Sequence, residues 1–213
     1  MKTLNLKAIP ICYKNNAYHL SKKEFNIIKN IKFINTYGNY TSIKEEKSEK
    51  RFYISTTKTL LQNKGLINLR KFLVQQAEDY TKNVLQIKNE IYLTQSWSTF
   101  SGPKTFHPPH FHPNTFISVI YYAQCEKGVL MFDVGSSSLQ ECFNLDYSID
   151  KFNIYNSQEW NLVIQTGDVV LFPGHIRHSS HPNLSSTPKI IVGANFFIKG
   201  TLGSYENTSL LKI

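Results

Sequence analysis

The spacing of the apolar residues changes once along this chain, at Asn89, and the change decides what the chain can fold into. Before it, Leu69, Phe72, Leu73, Ala77, Tyr80 and Val84 recur at helical spacing within residues 66–85, with polar residues between them. That spacing predicts an amphipathic helix laid on a sheet. After it, Ile91, Leu93, Gln95 and Trp97 alternate with Tyr92, Thr94, Ser96 and Ser98, the period of a strand with two distinct faces. Further strands are expected over 91–100, 116–123, 128–133, 161–164, 169–172 and 190–197, separated by Gly, Pro, Asn and Ser turns. Residues 135–160 read as a polar insertion. Upstream, Pro10 marks residues 4–12 as an edge strand. Ser21 and Glu24 have capping-box spacing ahead of Phe25, Ile27, Ile28 and Ile31, which predicts a helix, and 52–55 is a short strand. The expected fold is α+β, mainly β: a β-sandwich or jelly-roll barrel with N-terminal helices buttressing one sheet.

A chain of 213 residues fits one domain over 1–213, with an N-terminal strand and helices in 1–90, a jelly-roll core in 91–199 and a tail in 200–213. With 41% hydrophobic and 18% charged residues it is neither disordered nor collagen-like. The longest apolar run, 116–123, is too short to span a bilayer, and the N-terminus lacks the apolar region of a signal peptide. A cytoplasmic location is expected. Cys12, Cys125 and Cys142 are an odd number without C-x-x-C spacing, which argues against disulfides and against a cysteine zinc site. Residues 1–90 carry 17 Lys/Arg against 7 Asp/Glu, so the net charge of +9 resides there. Scattered lysines of this kind read first as solvated surface, and second as a steering field for an anionic partner such as nucleic acid.

Six of the seven histidines fall in two groups: His107, His110 and His112, then His175, His178 and His181. In an extended segment, His110-Phe111-His112 puts two imidazoles on one face, so both can meet one metal ion. The third ligand must come from elsewhere. His178 follows a turn, a buried strand over 169–172 and a loop, a path that returns it to the same mouth of a barrel. The expected ligands are His110, His112 and His178; His107, His175 and His181 are expected to support the site or lie on the surface. Three nitrogens on one face of a metal leave positions open for substrate and oxygen.

His110-Phe111-His112-Pro113-Asn114, then Ile117-Ser118-Val119-Ile120-Tyr121-Tyr122, Gly128-Val129-Leu130-Met131-Phe132, Gly167-Asp168-Val169-Val170-Leu171-Phe172-Pro173 and His178-Ser179-Ser180-His181-Pro182-Asn183 resemble the Fe(II)/2-oxoglutarate-dependent oxygenases. The resemblance covers about residues 95–198 and is closest to the bacteriophage and marine-bacterial branch, with a prolyl-hydroxylase-like core. It implies a double-stranded β-helix (jelly-roll, cupin-like), Fe(II), 2-oxoglutarate as cosubstrate, O2, and hydroxylation of a C–H bond with release of succinate and CO2. For phage-borne members it implies the cytoplasm of an infected bacterial host. It also assigns roles. His110 takes the first ligand position, His178 the distal histidine, and His112 the place that the family usually fills with aspartate. Lys189 stands where the family has a cation for the distal carboxylate of 2-oxoglutarate, Tyr122 resembles a tyrosine that helps to hold it, and Asn195 resembles an asparagine that contacts cosubstrate or substrate. The similarity of the core implies a prolyl or other peptidyl residue as substrate, and the basic N-terminal part adds nucleic acid as a variant. Because His112 replaces a carboxylate, two alternatives stand beside this reading: a cupin-type metalloenzyme that does not use 2-oxoglutarate, and a non-catalytic, virion-associated β-sandwich binding module.

Overall fold

Ser21 opens the first helix in the predicted way. Its hydroxyl accepts from the Glu24 N–H, and the Glu24 carboxylate accepts from the Ser21 N–H at 2.9 Å, which satisfies two of the helix's free donors. In a computed structural model of the chain, which describes residues 8–35, 52–133, 135 and 148–213, this helix is α1, Lys22–Lys29. A second helix, α2, spans Ile67–Asp79 and continues as a π-helical turn over Tyr80–Val84, so the helical spacing of 66–85 is realised in two forms.

The strands in chain order are β1 (Cys12–Lys14), β2 (Phe33–Asn35), β3 (Phe52–Ser55), β4 (Ile91–Ser101), β5 (Ile117–Gln124), β6 (Gly128–Asp133), β7 (Glu159–Ile164), β8 (Val169–Pro173), β9 (Arg177–Ser180), β10 (Lys189–Ile198), β11 (Thr201–Leu202) and β12 (Leu211–Lys212). Seven of them form a large antiparallel sheet in the order β1-β8-β5-β10-β4-β3-β2, three form a smaller sheet, β7-β6-β9, and β11 pairs with β12. The described N-terminal strand begins at Cys12, where the expected one over 4–12 ends: Pro10 has no N–H to give a ladder, and pairing with β8 starts only beyond it. Residues 1–7, Cys142 with the rest of 136–147 in the 135–160 insertion, and residues 36–51 lie outside the described residues.

The two sheets define two cores. On the outer face of the large sheet, Val119 and Tyr121 of β5 and Val192, Ala194 and Phe196 of β10 pack with Ile28 of α1 and Leu69, Leu73 and Ala77 of α2. On its inner face, Ile120, Tyr122, Val170 and Phe172 meet Leu130, Phe132 and Ile164 of the smaller sheet. Each fully buried aliphatic or aromatic side chain contributes roughly 1.5–3 kcal/mol here.

Two departures from the expected pattern matter to the site. The alternation along β4 breaks: Asn195 pairs with Gln95 but Phe196 pairs with Leu93, so Thr94 is the extra residue of a bulge. Ile91 and Leu93 therefore pack on the helical side, whereas Trp97, read as sharing their face, points into the space between the sheets beside Gly193. The second departure is β9. The loop expected after Pro173 contains a strand that pairs with β6, placing His178 opposite Phe132.

Candidate metal centre

His110 and His178 come from segments far apart in sequence, joined by an antiparallel bridge in which each residue's N–H donates to the other's carbonyl, at 2.9 and 2.8 Å. The His112 N–H donates to the Gly174 carbonyl at 2.8 Å. That approach requires a glycine, since a Cβ at residue 174 would lie 2.4 Å from the Thr115 carbonyl oxygen. Backbone pairing thus fixes all three histidines before any side-chain contact is considered. One ring nitrogen from each of His110, His112 and His178 lies within 4.8 Å of the other two.

The other nitrogens set the tautomers. His110 Nδ1 lies 2.9 Å from the Pro108 carbonyl and His178 Nδ1 lies 3.0 Å from the Ile176 carbonyl. A carbonyl only accepts, so both Nδ1 atoms carry the proton and both Nε2 lone pairs are free. The third ring is held from β10. Asn195 accepts a hydrogen bond from His112, and its Oδ1 also accepts from Ser118 Oγ at 3.1 Å. His112 Nε2 is buried with no hydrogen-bond partner among the described residues. An orphaned buried nitrogen is costly unless something unseen satisfies it, and a divalent metal does so directly. The nitrogen donor set fits such an ion.

Burial keeps all three rings neutral. It pushes His178 down to about 3 with help from neighbouring His110, against the opposing hydrogen bond to Ile176. It pushes His112 down to about 4, again with His110, against the hydrogen bond to Asn195. His110 is lowered by burial and partly restored by Pro108. Near neutral pH the cluster therefore presents lone pairs instead of protons. Trp97 stacks on His112 with centroids 5.4 Å apart, and Phe172 meets His178 edge-on at 4.6 Å. Gly193 makes room for that indole: a Cβ there would sit 2.6 Å from it.

Lys189, Ile191, Gly193 and Asn195 alternate along the inner face of β10. Ile191 pairs directly with Tyr122, which makes Lys189 and Tyr122 diagonal neighbours on that face. Lys189 is 6% exposed and has no hydrogen bond or ion pair among the described residues; burial lowers its pKa. Burial raises the pKa of the Tyr122 hydroxyl well above the ordinary value, so the phenol stays protonated. A buried cation and a protonated phenol that are diagonal neighbours on one face are suited to binding an anion. The structure therefore gathers all six predicted site residues around one space between the sheets. It sends His175 and His181 elsewhere, and adds Ser118 and Gly174, whose roles depend on pairings that no local motif signals. A cavity of about 240 Å³ lined by Pro109, Met131, Asp133, Gln158, Glu159, His178 and Ser179 adjoins the cluster.

Residues 95–195 match the family model described as "Putative 2OG-Fe(II) oxygenase". Several solved structures share the fold. HygX from Streptomyces hygroscopicus, with nickel, 2-oxoglutarate and hygromycin B bound, is 8% identical with a TM-score of 0.56, over 88% of this chain and 82% of that one. AviO1 from Streptomyces viridochromogenes Tue57 is 13% identical with a TM-score of 0.54, over 86% and 88%. The non-heme alpha ketoglutarate dependent epimerase SnoN from nogalamycin biosynthesis is 10% identical with a TM-score of 0.57, over 89% and 76%. No curated protein matches by sequence. The shared architecture is the mainly β jelly roll of these enzymes, and no helix among the described residues is long and apolar enough to cross a membrane.

Proposed function

We propose that this chain, which carries the 2OG-Fe(II) oxygenase match over residues 95–195, is an Fe(II)- and 2-oxoglutarate-dependent dioxygenase that hydroxylates a substrate C–H bond. The observation that carries this reading is the pairing, across one buried space, of three imidazole donors at one end with an unpartnered lysine at the other. The overall conversion combines the substrate, O2 and 2-oxoglutarate and yields the hydroxylated product, succinate and CO2. Iron held by His110, His112 and His178 supplies the redox chemistry of oxygen activation.

The chain's own residues do the positioning. Nδ1 of His110 and of His178 stays bound to a backbone carbonyl, which keeps both Nε2 lone pairs aimed at the metal. Ser118 and Asn195 hold the His112 ring. Lys189 takes the distal carboxylate as a point charge, and the Tyr122 hydroxyl donates to it. Trp97 covers His112 and closes the side of the site that faces β4, limiting the approach of water. With three neutral ligands and Lys189 the metal-loaded site has an excess of positive charge, which the cosubstrate dianion offsets. A prolyl or other peptidyl carbon is the substrate class proposed for the first screen.

Anaerobic titration of the metal-free protein with Fe(II) and then 2-oxoglutarate should produce the visible charge-transfer band of a chelated keto acid, and His178→Ala should abolish it. Tight metal binding without a band would favour the cupin-type alternative. Loss of metal binding in the unaltered chain would leave a binding module.

A further inference from the structure

Cys125, a thiol only 3% exposed, follows directly on β5. Ala123 packs on the outer side of the large sheet, and Gln124 pairs with Ile190, which also faces outward, so the strand slips there by one residue. The slip turns Cys125 inward, among Ile120, Tyr122, Leu130 and Ile164. One step beyond the Gln124–Ile190 pair, Cys125 stands opposite Lys189, and residues so opposed have Cβ atoms about 4.5–5.5 Å apart. The strands are still tied at this point, since Gln124 Nε2 donates to the Pro188 carbonyl at 2.7 Å. From the other side, the Cys125 N–H donates to Thr166 Oγ at 2.7 Å and the Cys125 carbonyl accepts from the Thr166 N–H at 2.8 Å. Backbone pairing therefore holds a thiol and an amine face to face.

Neither group is strongly held. Cys125 Sγ donates only weakly, to the Ile164 carbonyl at 3.8 Å, and Lys189, 6% exposed, has no hydrogen bond or ion pair among the described residues. We propose that Cys125 and Lys189 are a modification site, forming a covalent sulfur–nitrogen bridge when the protein meets a peroxide. The peroxide gives one oxygen to the thiol: its O–O bond breaks, an S–O bond forms, and water leaves as sulfur is oxidised to the sulfenic acid. The Lys189 amine, its ammonium proton lost to water, then attacks sulfur. The S–N bond forms, the S–O bond breaks, and the hydroxyl leaves as a second water with a proton from nitrogen. Burial lowers the pKa of Lys189, which favours the neutral amine, and pushes the thiol up to about 11 against the pull of Lys189, which makes the first step slow. A dithiol reverses the bridge by returning two electrons and two protons. The proposal does not depend on the function proposed above, but the bridge removes the cation on which that function relies.

The test holds the full-length chain in excess hydrogen peroxide, digests it without reductant and reads the products by mass spectrometry. A Cys12→Ser, Cys142→Ser variant, in which Cys125 is the only thiol, is run beside the unaltered chain. In both, the peptides bearing Cys125 and Lys189 should be found joined, lighter than their sum by two hydrogen atoms, and dithiothreitol should separate them. Lys189→Gln should take up oxygen at Cys125 without forming a bridge. Saturating Mn(II) and 2-oxoglutarate should slow bridging by about tenfold or more, because the bound cosubstrate occupies the amine. The proposal falls if Cys125 stays unmodified after prolonged exposure, if it passes on to the sulfinic acid with no bridge, or if it joins Lys127 instead of Lys189. A bridge that forms equally fast with 2-oxoglutarate bound would overturn the cosubstrate role of Lys189 and leave the modification site standing.

Discussion

The two faces of β10 are built for different ends. Ile190, Val192, Ala194 and Phe196 are each 0% exposed and pack under the helices. The residues between them, Lys189, Ile191, Gly193 and Asn195, face the space between the sheets and bring a cation, a gap for an indole and an amide that holds a histidine. One strand thus keeps stability and chemistry apart by nothing more than its period of two. The outer face is satisfied by what the chain itself supplies. The inner face keeps groups that the chain leaves unsatisfied, and such groups lower stability unless a ligand completes them.

The contrast breaks most sharply on the outer face. Phe196→Ala should lower the unfolding free energy in chemical denaturation by roughly 3–5 kcal/mol, the range for emptying a packed aromatic site, while metal affinity of the folded fraction stays nearly constant. A large change in metal affinity would show that the two faces are not independent. Acid should act through the inner side. The rings of His178 and His112 have folded pKa values of about 3 and about 4, below the 6.5 of a free imidazole. The unfolded chain therefore binds more protons between these limits, and stability of the metal-free protein should be full above about 6.5 and decline as pH falls towards 3. A His112→Phe, His178→Phe double variant should flatten that part of the curve. Lys189→Met should raise the unfolding free energy by about 1 kcal/mol, because an unpartnered buried cation is replaced by an apolar chain of similar length, while affinity for 2-oxoglutarate drops. Asn195→Ala should weaken Mn(II) binding by about tenfold in calorimetry, by releasing the His112 ring without removing a proposed ligand.

Much of this was legible before the structure. The Ser21/Glu24 cap, the helical spacing up to residue 85 and most strands of the core are local signals, written within a few residues of where they act. The inward parity of Tyr122 with Ser118 and Ile120 also follows from alternation alone, and Ile120 and Tyr122 do share the inner core. What escaped was decided across the chain. Trp97 changes face because a bulge forms at Thr94 against Asn195 and Phe196, about a hundred positions away. β9 has the residues of a loop and becomes a strand because β6 offers it a ladder. The hydrogen bond from Ser118 to Asn195 depends on the register of β5 against β10, and a sequence pattern does not fix a register between distant strands.

His110 and His178 share one small device: each ring donates to the carbonyl two residues before it, Pro108 for one and Ile176 for the other. The instruction that orients each of these rings is thus carried inside a three-residue word, independent of the rest of the vocabulary. Such a word can be kept while nearly everything around it is rewritten. His112 has no such word and borrows its orientation from a distant strand, which makes it the proposed ligand that depends most on spelling outside its own segment.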